Sequence, residues 1–169
     1  MRLRRNVHNK IDKMKLGMFF TLEELVRSDK AKALGIKNEP DVVAKMNLNA
    51  LVCYVLDPAR RIWGSAICVS SGYRNAELNK AVGGSKNSDH MLGLAADIYT
   101  PKGDNKKNRE LYEKIKKSNI PYRQLIFEQS KKGSTWVHVS LDLMTDSPKR
   151  QAMIATQSKN NKWSYEADM

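Results

Sequence analysis

Two apolar, strand-like stretches of this chain each carry one ionisable residue: Asp97 within LAADIY and His138 within TWVHVS. A carboxylate or imidazole in such a run costs free energy unless it is paired, hydrogen-bonded or bound to a metal. In a strand, His138 projects to the face opposite Val137 and Val139 and shares its own face with Trp136 and Ser140. A second histidine, His90, stands seven residues before Asp97, at the end of a loop rich in small residues, with Gly93 placed to turn the backbone. Two nitrogens and one oxygen make the three-protein-ligand set of a catalytic zinc, with a fourth position for water. Taken singly, each residue is better explained by a structural hydrogen bond. Together they point to a metal.

The remaining elements follow from periodicity and punctuation. Thr21-Leu22-Glu23-Glu24 is a capping box opening a short helix, and residues 34–40 read as a loop. A helical pattern runs from Asp41 to Trp63, with Val42, Met46, Leu48, Leu51, Val52, Val55, Leu56, Ala59 and Ile62 as its inward face. Pro58 is expected to kink or divide it, and Gly64 to end it. Strands are expected over 66–70, 94–99, 122–129 and 135–141, and helices over 75–82 and 105–118. The segment 149–165 is expected to add a short helix or an edge strand. Helices come first and most strands later, without βαβ alternation. That order predicts a single α+β domain with a small antiparallel sheet. Residues 1–17 read as a basic N-terminal arm, and residues 18–169 as the domain.

Lys and Arg outnumber Asp and Glu by 30 to 18, a net charge of +12. Such a charge favours a polyanion, either an anionic cell envelope or nucleic acid. No aromatic residues interleave with the basic clusters as a base-stacking platform requires, so the envelope is preferred and no specific nucleic-acid binding is expected. No apolar run approaches the ~20 residues of a membrane span. The N-terminus has no apolar core of a Sec signal, so synthesis in the cytoplasm is expected. Cys53 and Cys68 read as buried small hydrophobes, and no spacing suits a cysteine-based zinc site. His8, in the basic arm, reads as a surface residue.

The stretch SGYRNAELNKAVGGSKNSDHMLGLAADI, followed by RQLIFE and WVHVS, resembles the zinc D-alanyl-D-alanine carboxypeptidases and related phage endolysin peptidases. These share a fold with the hedgehog signalling domain. The resemblance takes in FFTLEELVRSDKA, the GIKNEP loop and VLDPAR, and runs from about Met18 to Trp163. It implies a zinc peptidase of peptidoglycan stems or cross-links, with His90, Asp97 and His138 as the zinc ligands. Arg74 would bind a substrate carboxylate or polarise the scissile carbonyl, or else form a surface salt bridge with Glu77. Ser88 would hydrogen-bond substrate, or else cap its loop. Gln124 would lie near the site or serve the sheet, and Trp136 would line the cleft or fill core. The resemblance further implies a monomer that acts at the cell wall after release, or on a virion.

Many such peptidases carry Asp or Glu three residues before the last zinc histidine, where this chain has Thr135. Glu128 is the best substitute as general base. A two- or four-residue turn at 131–134 would face it away from His138. A three-residue loop or a bulge at Gly133 would bring it to the metal side. Asp142 is the reserve. The missing acid at Thr135 also motivates an alternative, a non-catalytic zinc-binding module of the same fold. A nucleic-acid-binding protein is a distant third.

Overall fold

The computed structural model describes residues 14–143 and 149–169. Helix α1 (Leu22–Val26) starts at the expected capping box: the Thr21 hydroxyl accepts from the Glu24 N–H, and the Glu24 carboxylate accepts from the Thr21 N–H. The packed chain begins ahead of it. Leu16 is 1% exposed and belongs to the core. The buried Asp57 carboxylate accepts from the Met18 and Phe19 N–H groups. The last residues of the expected basic arm are thus part of the domain, while residues 1–13 lie outside the described ones.

After α2 (Asp29–Leu34), the expected long helix is α3 (Val42–Leu51), a π-turn (Val52–Leu56) and α4 (Asp57–Trp63) in unbroken succession. Pro58 therefore does not divide it; the wider turn just before the ring absorbs the missing backbone donor. The buried line is Ala44, Leu48, Leu51, Val52, Val55, Leu56 and Ala59. Val42 and Met46, expected inward, are 72% and 67% exposed. They stand two residues, roughly 200° of turn, off that line. Ile62 is exposed as well. Cys53 falls on the same outer face and is exposed, and Cys68 is half-buried, so neither is the buried hydrophobe expected.

The sheet has six strands: β1 (Cys68–Ser71), β2 (Ala95–Tyr99), β3 (Tyr122–Gln129), β4 (Thr135–Leu141), β5 (Gln151–Gln157) and β6 (Trp163–Ala167). Their order is β1-β2-β4-β3-β5-β6. Every pairing is antiparallel except β3 with β5. The C-terminal segment supplies two strands where one helix or edge strand was expected. Helix α5 (Ala76–Ala81) and a 3-10 turn (Asp89–Leu92) lie between β1 and β2, and α6 (Asn105–Lys117) between β2 and β3.

Alternation splits the sheet into two faces. Ile98, Val137, Val139 and Leu125 point to the core, with Leu111, Tyr112 and Ile115 of α6 and the α3–α4 line. Asp97, His138, Glu128, Gln124 and Trp136 fall on the opposite face, lining a cleft of about 910 Å³. No helix among the described residues is long and apolar enough to cross a membrane.

Candidate metal centre

The antiparallel pairing of β2 with β4 sets Asp97 directly opposite His138. The 3-10 turn brings in His90, which is 2% exposed. Its Nδ1 lies 2.7 Å from the Gly72 carbonyl. A carbonyl only accepts, so Nδ1 carries the proton and the neutral ring leaves Nε2 bare toward the cluster. The SGYR turn and the His90 loop lock together in return, because the Arg74 N–H donates to the His90 carbonyl at 3.1 Å. Gly72 is required here. A Cβ at that position would collide with the Leu25 carbonyl of α1.

His90 Nε2, His138 Nδ1 and Asp97 Oδ1 form a compact triangle. Its edges are 3.3 Å between the two nitrogens, 3.3 Å from His90 to Asp97 and 2.9 Å from His138 to Asp97. Two ligands at about 2.0–2.1 Å from a tetrahedral zinc lie roughly 3.3 Å apart. The donor set and its spacing therefore fit a metal ion.

Burial works to raise Asp97, but the charge and hydrogen bonds of the two imidazoles prevail and hold its carboxyl well below the usual range. Burial lowers His90, and the Asp97 carboxylate does not fully restore it. Burial would lower His138 too, but its hydrogen bond and charge interaction with Asp97 leave it above its ordinary value.

Arg74 pairs with the far oxygen of Asp97 at 3.0 Å, not with Glu77, and its Nε donates to Ser71 at 2.9 Å. It holds Asp97 directly and also lines the cleft. Ser88 lines the cleft and makes no capping bond to its turn. Gln124 lies opposite Ser140 and donates to Gln151 at 3.2 Å, so it faces the cleft and ties β3 to β5. Thr135 is on the core side, bonded to Asn105 and Asn108.

Glu128 lies on the metal side. Ser130 pairs with Ser134 around the three-residue loop at 131–133, and Gly133 takes φ 86°, a left-handed conformation that glycine adopts without strain. That register sets Glu128 opposite Trp136 and Ile126 opposite His138. Glu128 is thus a diagonal neighbour of His138, roughly 7–8 Å away by sheet geometry, with their Cβ atoms somewhat closer. Burial first, then the Asp97 carboxylate, pushes its pKa up to about 7, against the pull of His138, Trp136 and Arg74. Asp142 follows the end of β4, away from the residues that line the cleft.

A model of the peptidase M15 family matches residues 18–140. The chain belongs to this family of metallopeptidases. No curated protein matches it. The α+β architecture agrees with that family's fold. Sequence reasoning missed the cleft's outer wall. Met153, Trp163 and Tyr165 of β5 and β6 line it, and Arg123, ion-paired to Asp89, lines the other side. The alternation of Trp163 and Tyr165 was a signal, but nothing local shows where a terminal strand docks.

Proposed function

We propose that this M15 peptidase is a zinc enzyme that hydrolyses peptide bonds in the stems or cross-links of peptidoglycan. The observation that carries the reading is the His90–Asp97–His138 triangle, whose spacing suits a tetrahedral ion and whose open side faces the cleft. Zinc held there would polarise a scissile carbonyl and lower the pKa of water. Gly72 fixes the His90 tautomer, and Arg74 fixes the orientation of Asp97. Glu128 takes a proton from the attacking water and passes it to the leaving amine. Its pKa, raised to about 7, suits both halves of that transfer. Two of the five Arg74 N–H donors serve Ser71 and Asp97; the others are the ones to orient a substrate oxygen. Ser88 and Gln124 offer hydrogen bonds along the cleft, and Trp136 forms part of its wall. The charge of +12 suits a search along an anionic envelope, by a monomer acting at the wall after release.

The test is incubation of metal-replete protein with purified peptidoglycan, with chelator and Glu128→Ala controls, and mass spectrometry of the released ends. New amino termini or free D-alanine, lost in both controls, are expected. Bound zinc with no cleavage of any wall type would overturn the enzymatic reading in favour of the non-catalytic module that Thr135 allows. Cleavage that survives Glu128→Ala would move the general base elsewhere.

A further inference from the structure

Strands β5 and β6 lie beyond the residues matched by the family model, yet they build one wall of the cleft. The register places their side chains. Trp136 lies opposite Glu128, Glu128 opposite Ala155, and Ala155 opposite Tyr165. These four share one row and one face, a step of about 7 Å along the strands from the His138 row. Trp163, paired with Gln157, stands one row further on. Its ring meets that of Trp136 edge-on, with centroids 5.8 Å apart. Tyr165 is 53% exposed, and none of the three rings belongs to the core. Aromatic surface left open beside a polar cleft marks a place of contact.

The chemistry of the wall narrows its ligand. Among the described residues lining this side of the cleft, Trp136, Trp163, Tyr165, Met153 and Glu128 include no cation. Arg74 follows β1, beyond β2, and Arg123 lies at the opposite end of β3 from Glu128; they are held by Asp97 and Asp89. An anionic group of a substrate is drawn to these cations, so the aromatic side suits a neutral group. A purely aliphatic group would cover the Tyr165 hydroxyl without a partner, at a cost. A pyranose ring meets both demands. Its C–H face lies flat on an aromatic ring, and its hydroxyls reach the polar groups at the edge.

We propose that Trp136, Trp163 and Tyr165 form a saccharide subsite, which holds a neutral sugar ring of the glycan while the peptide attached to it crosses the metal cluster. This rests on the reading that the substrate is a glycan-linked peptide. The β5–β6 hairpin is then part of the substrate site, and the substrate runs from sugar at Trp163 to carboxylate at Arg123.

The test is a titration of the full chain with the trimer of N-acetylglucosamine and, separately, with a sugar-free stem tetrapeptide, read by tryptophan emission. Saturable binding of the trimer is expected. Trp163→Ala and Tyr165→Ala should each weaken it about tenfold, as for the loss of one aromatic contact. Trp163→Phe, which keeps a ring and the strand, should largely retain it, and guards against a folding defect in the alanine variants. No saturable binding of the trimer would overturn the subsite, as would binding untouched by both alanine variants. A tetrapeptide that binds in place of the trimer and is lost in Trp163→Ala would overturn it too, assigning the wall to peptide. The titration needs no cleavage, so it separates the two readings. Trimer binding without peptidase activity would sink the enzyme and keep the subsite; cleavage without trimer binding would do the reverse.

Discussion

At the scale of single residues, the centre depends on groups whose partners restrict what they can do. His90 presents Nε2 because Gly72 takes its other nitrogen. Asp97 serves two histidines with one oxygen and Arg74 with the other. Replacing Arg74 by Lys keeps a charge but loses the planar fork that reaches Ser71 and Asp97 together. Arg74→Lys is therefore expected to weaken zinc binding about 10–100-fold, the usual cost of losing a group that orients a ligand; competition with a fluorescent chelator measures this. Glu128 makes a different prediction. A base works only as the carboxylate, so the rate should fall as pH drops through its pKa. Burial and Asp97 set that value at about 7, and a bound cation works in the opposite direction. The acid limb of kcat/KM is expected near or somewhat below pH 7. Glu128→Gln should remove the limb and lower kcat about 10²–10⁴-fold, with zinc content unchanged by elemental analysis. A full zinc complement with unchanged kcat would remove Glu128 from the mechanism.

At the scale of elements, the site is assembled by register and close approach. A single-residue slip in the β3–β4 hairpin would turn Glu128 to the core face, and the three-residue loop at 131–133 prevents it. The SGYR turn packs so tightly on α1 that no side chain fits at residue 72. Gly72→Ala is expected to destabilise the fold by about 1–3 kcal/mol, the range for overpacking, and to loosen the His90 carbonyl contact. Urea denaturation would show the first effect, and zinc affinity the second. A variant as stable as the parent, with unchanged affinity, would show that α1 does not hold the centre in place. Element boundaries were largely legible in the chain. The spans of β3 and β4, the Thr21 capping box and the strand carrying Asp97 follow from alternation and side-chain chemistry alone. The inward face of the long helix was not. Val42, Met46 and Ile62 fit a helical period as well as the buried residues do, and only the packed partner decides which stripe turns inward.

At the scale of the whole molecule, the centre joins segments far apart in the chain. The 3-10 turn brings His90, β2 brings Asp97, and β4 brings His138. A metal that binds only this assembled set must stabilise the fold by mass action. Added zinc is expected to raise Tm with concentration, a chelator to reverse the shift, and His138→Ala to abolish it; calorimetry would measure all three. A Tm indifferent to zinc would remove the metal centre from the fold. The sequence by itself determined that Asp97 and His138 need partners and which strands carry them, because a carboxylate and an imidazole inside apolar strands are tolerated only with partners. It also determined the α+β class, through the order of its elements. Only the tertiary structure decided which face Glu128 takes, that Arg74 answers to Asp97, and that the last strands complete the cleft. Those outcomes depend on loop register, charge pairing and edge docking between distant segments, and no local pattern of residues specifies them.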